Sequence, residues 1–132
     1  MIWRVRKYIR ENHMLKAGDM VAAGVSGGAD SIAMLHILKE IQRDMGFALE
    51  AVHIHHGIRG EEVMVRKICV EWEIPLEVYH YPVPDLSRKW KLGEEETGRI
   101  VRKQAFFRER ERLGFPGEET DEGPQFLAAL AH

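Results

Sequence analysis

A short apolar run that leads into a glycine-rich turn constrains the fold of this chain more than any other feature. Residues 20–25 are continuously apolar, which is typical of a strand buried on both faces of a parallel sheet. The turn at residues 26–28 follows, and apolar side chains then recur at helical spacing over residues 32–41. A strand that enters a helix through glycines predicts a βα unit of an α/β fold, with Asp30 or Ser31 capping the helix.

The rest of the chain repeats this alternation of strands and helices. Further elements are predicted as helices over residues 2–13, 61–73 and 94–113, and as strands over residues 47–54, 76–81 and 125–131. Residues 114–124 are rich in glycine and proline and are predicted to be a loop. The alternation predicts a Rossmann-like parallel sheet with helices on both faces, in which ligands bind at the carboxyl ends of the strands.

Length and composition are those of an ordinary globular protein. The 132 residues suffice for one compact domain, with 45% hydrophobic and 30% charged residues. No apolar run is long enough to span a bilayer, and the first residues lack the apolar core of a signal peptide. We therefore expect a cytoplasmic protein with no membrane partner. The single cysteine, Cys69, excludes an intrachain disulfide and a metal cluster held by several cysteines of these residues.

The charge distribution leaves two interpretations open. A net charge of -2 gives no overall signature of nucleic-acid binding, but basic residues concentrate within residues 4–16 and 88–112. Such segments either meet phosphates or form solvated helix faces, and charge alone favours the solvated faces.

The segment Ser26-Gly27-Gly28-Ala29-Asp30-Ser31, called the phosphate loop below, has the residue types of an anion site. Its two glycines lack a Cβ, so the backbone can adopt positive φ and approach a ligand closely. The following helix adds free N–H groups and the positive end of its dipole, and the two serine hydroxyls can donate to phosphate oxygens. A carboxylate suits such a site when a cation accompanies the anion, so we expect Asp30 to bind Mg²⁺. The alternative is a strand–helix turn with a purely structural role.

Three histidines at the end of the second predicted strand, His53, His55 and His56, form a second polar cluster. Histidine is a common metal ligand, and His53 and His55 share one strand face. No carboxylate or cysteine at ligand spacing completes a metal site around them. A metal site is therefore the weaker interpretation of this cluster.

Several motifs together give the chain a family resemblance. The phosphate loop resembles the S-G-G-x-D-S signature of the N-type ATP pyrophosphatase (PP-loop) family, and it matches neither the Walker sequence nor the dinucleotide glycine pattern. Residues 52–60 resemble the V-H-x-x-H-G-[LI]-R-G strand end of the tRNA(Ile)-lysidine synthetase family. Residues 95–107 resemble that family's E-E-x-x-R-x-x-R-Y-x-x-F helix, and residues 128–132 resemble the beginning of its A-L-A-H-H-x-x-D-D strand and loop.

This resemblance implies ATP-dependent tRNA modification. In that family ATP adenylates the wobble cytidine of an isoleucine tRNA with a CAU anticodon, and free L-lysine then displaces AMP to give lysidine. The phosphate loop would hold the ATP phosphates, with Mg²⁺ on Asp30. The resemblance assigns adenine and ribose contacts to main-chain groups of Ala23, Gly24, Val52 and His53, catalysis to Asp30, Arg99, Arg102 and His132, and tRNA or substrate contacts to His56 and Arg59.

The chain also departs from the pattern of that family. Lys103 stands where the family has tyrosine, and the H-x-x-D-D loop and the C-terminal tRNA-binding domains are expected beyond His132. We therefore expect a partial domain that is inactive alone, truncated at its C-terminus, with a leading helix at residues 1–16 and an incomplete α/β core at residues 20–132. The alternatives are another PP-loop enzyme, either a tRNA thiolase or an amide-forming synthetase, and a non-catalytic ATP-binding fragment. A homodimer also stays open.

Overall fold

The structure is a computed structural model that describes residues 17–55, 60–115 and 126–130. The helix predicted over residues 2–13 and most of the loop predicted over residues 114–124 lie outside these ranges.

Eight elements of secondary structure alternate along the described residues. In chain order they are β1 (Met20–Gly24), α1 (Ala29–Met45), β2 (Ala48–His55), α2 (Glu61–Glu71), β3 (Leu76–His80), α3 (Val83–Trp90), α4 (Glu94–Leu113) and β4 (Phe126–Leu130). The four predicted strands and the predicted helices α1, α2 and α4 are confirmed, and wherever the sequence predicts both ends of an element they lie within two residues of the observed ends. Within the described ranges, no helix is both long enough and apolar enough to cross a bilayer.

The strands form one parallel sheet in the order β3-β2-β1-β4. The chain moves outward from β1 to β2 to β3 and then returns past both strands to place β4 on the other side of β1. Right-handed crossovers in opposite directions put their helices on opposite faces of the sheet. The order reverses between β1 and β4, and ligands in open α/β sheets bind at the carboxyl ends of the strands beside such a reversal. The phosphate loop begins at that point.

Two apolar cores cover the two faces of the sheet. One contains Leu49 and Ala51 of β2 with the buried leucine and isoleucine side chains of α1 and with Val65 and Cys69 of α2. The other contains Val52 of β2 with side chains of α4, among them Ala105. Successive residues of β2 thus contribute to opposite cores, as the two-residue repeat of a strand dictates, and the predicted Rossmann-like architecture is confirmed.

The beginning of α1 differs from the prediction. Its N-cap is Gly28, which has extended dihedral angles (φ -74°, ψ 159°) and provides no side-chain cap. Asp30 and Ser31 lie in the first turn, so the expectation that one of them caps the helix is wrong. Gly28 starts the helix because its carbonyl accepts from the N–H of Ile32 at 3.1 Å. The consequence is that the first turn keeps unsatisfied N–H groups, since a glycine cap offers them no side-chain acceptor.

Helix α3 was not predicted. Pro82 and Pro84 indicate the end of a strand, and β3 does end at His80. They also suit a helix start, because a proline in the first turn lacks only an N–H group that would have no intrahelical partner there. Pro82 is the N-cap of α3 and Pro84 lies in its first turn.

Candidate nucleotide site

The phosphate loop joins the carboxyl end of the central strand β1 to the N-terminus of α1. Gly27 has φ +98°, a conformation that L side chains rarely adopt. A Cβ on this glycine would lie 3.4 Å from Met64 Cε and 3.5 Å from Glu61 Cβ, both on α2. The N-terminal turn of α2 therefore packs directly on the loop, and the helix itself begins after Gly60, which has φ +94°.

The two serines tie the loop together through their hydroxyl groups. Ser31 Oγ accepts from the N–H of Ser26 at 3.2 Å and donates to the carbonyl of Gly28 at 3.0 Å. Because the Ser31 proton is committed to that carbonyl, the 3.2 Å contact between the two hydroxyls has Ser26 Oγ as its donor. Ser26 Oγ also accepts from the N–H of Gly28 at 3.2 Å. The loop is thus shaped by its own hydrogen bonds.

Asp30 is an exposed carboxylate in the first turn of α1. It lies beside the positive end of the helix dipole, and in sequence it stands between Ser26 and Ser31, whose hydroxyls belong to the loop. One carboxylate with free coordination space suits Mg²⁺, which keeps several waters and is bound through one or two carboxylates together with substrate phosphates.

The carboxyl end of β2 is fastened to the residue that precedes the loop. The N–H of Val25 donates to the carbonyl of Val52 at 2.9 Å, and His53 Nδ1 lies 2.6 Å from the carbonyl oxygen of Val25. Ala23 and Gly24 pair with β2 on one side and with β4 on the other, so their main chains lie within the sheet. The nucleotide contacts assigned to these four main-chain positions stay predictions.

Arg99 and Arg102 line a groove of about 480 Å³ between α4 and β4. This α4–β4 groove is formed by Arg99, Arg102, Lys103, Phe106, Phe107, Arg110, Phe126 and Ala128. The three-residue spacing of Arg99 and Arg102 thus places both on one face of α4. Arg99 also pairs with Glu96 at 2.5 Å, and this hydrogen bond raises the pKa of its guanidinium.

The sequence alone did not indicate the other members of the α4–β4 groove. Lys103 and Arg110 add two cations, and the Phe107 side chain is 52% exposed. The Arg110 guanidinium lies 5.5 Å from the centroid of the Phe126 ring, within cation–π range. The helical repeat could have indicated part of the groove, because residues three, four, seven and eleven positions after Arg99 fall on one side of a helix.

Helix α4 runs antiparallel to the strands. Its last turn reaches the amino end of the sheet, where Arg112 Nη2 lies 2.5 Å from Glu50 Oε1. Arg99 precedes Arg112 by thirteen residues, about 20 Å along a helix, which brings it toward the carboxyl edge. The end of the α4–β4 groove that carries Arg99 and Arg102 is therefore the one nearer the phosphate loop.

The described histidines do not assemble a metal site. The rings of His55 and His80 are 4.9 Å apart, and His80 Nε2 lies 2.8 Å from Glu62 Oε1. Within the described ranges, the only group of three or more metal-ligating side chains close enough to share an ion is Glu50, Glu77 and Glu109.

Those three carboxylates surround Arg112 rather than the phosphate loop. Arg112 Nε donates to Glu109 at 2.9 Å, and its guanidinium lies 3.9 Å from Glu77. Tyr79 Oη donates to Glu109 at 2.6 Å. Burial, a hydrogen bond with Glu109 and repulsion by that group raise the pKa of Glu50 to about 8. Burial also raises that of Glu109, but hydrogen bonds from Arg112, Glu50 and Tyr79 outweigh it and bring its pKa below the usual value.

Three of the predicted site residues, His56, Arg59 and His132, lie outside the described ranges. Their assigned roles in tRNA contact and catalysis stay predictions.

Known proteins resemble this chain in sequence and in fold. A family model described as a PP-loop domain matches residues 3–115. The tRNA(Ile)-lysidine synthase of Caldanaerobacter subterraneus subsp. tengcongensis is 34% identical over 119 residues, which cover 86% of this chain and 26% of the relative. The enzyme of the same name from Petrotoga mobilis is 33% identical over 116 residues, covering 85% and 37%. The chain thus spans from about a quarter to somewhat more than a third of the length of these relatives.

A solved structure shares the fold. The U34-tRNA thiolase NcsA from Methanococcus maripaludis, determined with its [4Fe-4S] cluster, superposes with a TM-score of 0.51 at 28% sequence identity. The superposition covers 61% of this chain and 30% of the thiolase.

Proposed function

This chain belongs to the PP-loop domain family, and from that premise we propose that it is the ATP-binding part of a tRNA(Ile)-lysidine synthase. In this proposal ATP adenylates the wobble cytidine of a CAU-anticodon isoleucine tRNA, pyrophosphate leaves, and free L-lysine displaces AMP. The observation that carries the proposal is a phosphate loop with Gly27 at positive φ and a helix N-terminus capped only by Gly28.

Phosphate binding follows from groups that the loop leaves available. The first N–H groups of a helix have no intrahelical acceptor, and the helix dipole favours an anion at that end. An incoming phosphate can replace the bonds among Ser26, Ser31 and the loop backbone with charge-assisted bonds, which are stronger. These donors would stabilise the charge that develops on departing pyrophosphate, which is an electrostatic contribution to catalysis.

We assign Mg²⁺ to Asp30. Its carboxylate is exposed at the first turn of α1, where ATP phosphates would supply the other oxygen ligands. Glu61 lies in the first turn of α2, and its side chain packs on Gly27. Because this acidic group disfavours a bare polyanion, a cation that accompanies the nucleotide would favour binding at the loop. Bound Mg²⁺ would neutralise charge on the phosphates.

The α4–β4 groove supplies a surface suited to RNA. Arg102, Lys103 and Arg110 can contact phosphates, and the exposed ring of Phe107 can stack on a base. Guanidinium groups match phosphate oxygens in a fork geometry. We therefore propose that tRNA lies along α4, with its reactive cytidine near Arg99 and Arg102 at the carboxyl edge of the sheet.

A thiolase is the second candidate, because the solved neighbour with a matching fold acts on U34 of tRNA and carries a [4Fe-4S] cluster. Protein iron–sulfur clusters are held by several cysteine thiolates. These 132 residues contain one cysteine, Cys69, which is buried in the core. This observation favours lysidine formation over thiolation.

The domain boundaries and the cellular setting belong to the same proposal. We assign residues 20–132 to the α/β core and residues 1–16 to a leading helix, and we place the protein in the cytoplasm. The proposal includes catalytic roles for His132, Arg99 and Arg102 and substrate contacts for His56 and Arg59. It leaves open whether the protein forms a homodimer.

The test is formation of AMP from ATP in the presence of isoleucine tRNA and lysine. Because the chain alone is expected to be inactive, the assay uses a full-length protein that contains it. Two tRNA transcripts that differ only in C34 or U34 are incubated with this protein, Mg-ATP and either lysine or sulfide, and the masses of the tRNA products are measured by mass spectrometry. We expect AMP release and addition of one lysyl group only with the C34 transcript and lysine. Sulfur incorporation into the U34 transcript would establish the thiolase instead.

Matched arginine variants separate catalysis from nucleotide binding. In the full-length protein, Arg102→Ala should lower AMP formation by about tenfold or more while leaving ATP affinity within about twofold, as expected for loss of a contact made in the transition state. Arg43→Ala, on the last turn of α1, is the control and should change neither. ATP binding by the full-length protein without AMP formation from either transcript would contradict the enzymatic proposal and leave a non-catalytic nucleotide-binding module.

A further inference from the structure

His53 is a buried imidazole with one satisfied nitrogen. Its side chain is 1% exposed, and Nδ1 lies 2.6 Å from the carbonyl oxygen of Val25. Its other nitrogen, Nε2, is also buried and has no hydrogen-bond partner among the described residues. The sequence predicts a main-chain nucleotide contact for His53 and considers its side chain only as a possible metal ligand, so the side-chain contact with Val25 is an additional feature.

The hydrogen bond to Val25 fixes the tautomer of the ring. A carbonyl oxygen can only accept, so the nitrogen that faces it must carry the proton. Of the two neutral tautomers, only the one that carries its proton on Nδ1 can form this bond, and in that tautomer Nε2 presents a lone pair.

The position of the bond places His53 directly beneath the phosphate loop. Val25 is the last residue before Ser26, and its N–H already donates to the carbonyl of Val52. Strand β2 thus holds both main-chain polar groups of Val25. The carbonyl of Val52 accepts from its N–H, and the imidazole of His53 donates to its carbonyl. His53 shares its strand face with Leu49 and Ala51, which pack against α1 and α2.

Packing alone does not account for a histidine here. A buried nitrogen without a partner costs free energy, and the packing of His53 does not offset that cost. A position that breaks a rule of core packing is more readily explained by a role in the neighbouring site.

We propose that His53 is a positioning residue for the phosphate loop, which it orients by donating from Nδ1 to the carbonyl of Val25. This inference rests on the proposed function, because the loop is taken to bind ATP. The carbonyl of Val25 belongs to the same peptide group as the N–H of Ser26, which donates to Ser31 Oγ. Holding this peptide plane sets the direction in which the loop begins and prepares its donors before phosphate arrives. Binding to a preorganised loop avoids the cost of ordering it.

Two isosteric substitutions test this role. The side-chain nitrogen of asparagine occupies the position of Nδ1, whereas that of glutamine lies one atom further out, near Nε2. Mg-ATP affinity and the urea midpoint are measured for the wild-type chain and for His53→Asn, His53→Gln and His53→Leu. We expect dissociation constants about tenfold higher for the glutamine and leucine variants and within about threefold of wild type for asparagine.

The comparison distinguishes positioning from stability. A merely structural role predicts that affinity at temperatures where each variant is folded is unchanged, whatever happens to the urea midpoint. Leucine equal to wild type in affinity, or asparagine no better than leucine, would overturn the inference. Failure of the wild-type chain itself to bind Mg-ATP would instead overturn the proposed function, and with it the premise of this inference.

The hydrogen bond can also be tested on the unmodified chain, where the result does not depend on whether a variant folds. Nitrogen-15 NMR of the imidazole reports which ring nitrogen carries the proton. We expect a protonated Nδ1 in His53, with slowed hydrogen exchange, whereas a neutral ring protonated only at Nε2 would exclude the bond to Val25 and refute the inference.

Discussion

Replacing Glu50 with glutamine should remove a specific dependence of stability on pH. Glu50 is 5% exposed and Glu109 is fully buried, and both contact the single guanidinium of Arg112. Tyr79 donates to Glu109, and Glu77 completes the group of carboxylates around this cation. Two buried carboxylates beside one cation are most stable with one shared proton, which lies on Glu50 because its pKa is the raised one.

The sign and size of the effect follow from that proton. The pKa of Glu50 is about 8 in the folded chain against 4.5 for an ordinary glutamate, so the folded state keeps a proton that the unfolded state releases. The stabilisation is complete below pH 4.5 and is lost as the pH rises toward 8. The unfolding free energy should fall by about 1.4 kcal/mol per pH unit in this window, or about 3 kcal/mol between pH 5 and pH 7.5.

Urea denaturation at half-unit steps from pH 5 to pH 8 measures this slope. Glu50→Gln keeps the shape and the donor of the protonated carboxyl but cannot ionise, so the difference between variant and wild type should grow by about 3 kcal/mol across the range in favour of the variant. Glu111→Gln, an exposed position on α4, is the control for general charge effects. Stability curves for wild type and Glu50→Gln that run parallel with pH would refute the shared-proton account.

Three other substitutions give distinct expectations. Arg112→Met should lower the unfolding free energy by about 2 kcal/mol in urea, since it leaves buried carboxylates without their half-exposed cation. Gly27→Ala should cost roughly 1 kcal/mol of stability and weaken Mg-ATP binding, because φ is +98° and Met64 Cε lies 3.4 Å from the new methyl group; unchanged stability and ATP affinity would contradict the strain argument. Arg110→Ala should weaken binding to C34 and U34 tRNA transcripts equally and reduce the slope of log affinity against log salt by about one, and a loss that depends on the transcript would argue against a phosphate contact.

The order of elements and the location of the loop could be predicted because local patterns determine them. The apolar run at β1, the glycines after it and the helical repeat of α1 are signals within a few residues of one another. Parallel strands with right-handed crossovers then allow few arrangements, and the sheet with helices on both faces is one of them. The recognition of a PP-loop domain rested on the same segment and is confirmed by the family match.

The features that could not be predicted depend on contacts between residues distant in sequence, or on residue types that suit more than one local structure. Prolines indicated the end of β3 and equally permitted the start of α3. Serine and aspartate are common caps, yet the cap of α1 is Gly28, because the loop uses Ser26 and Ser31 for its own bonds. The contact of His53 with Val25 spans twenty-eight positions in sequence and becomes visible only when β1 and β2 pair.

The most direct test of the ATP site is a calorimetric titration of Mg-ATP into the purified chain and into its Asp30→Ala variant. Asp30 is exposed, so the substitution should leave the fold intact, and circular dichroism of both proteins verifies this. We predict one ATP per chain for the wild type and an affinity at least about tenfold lower for the variant, because the metal loses its carboxylate. A folded wild-type chain that binds no Mg-ATP, or equal affinities for the two proteins, would contradict the assignment of the phosphate loop and of Asp30.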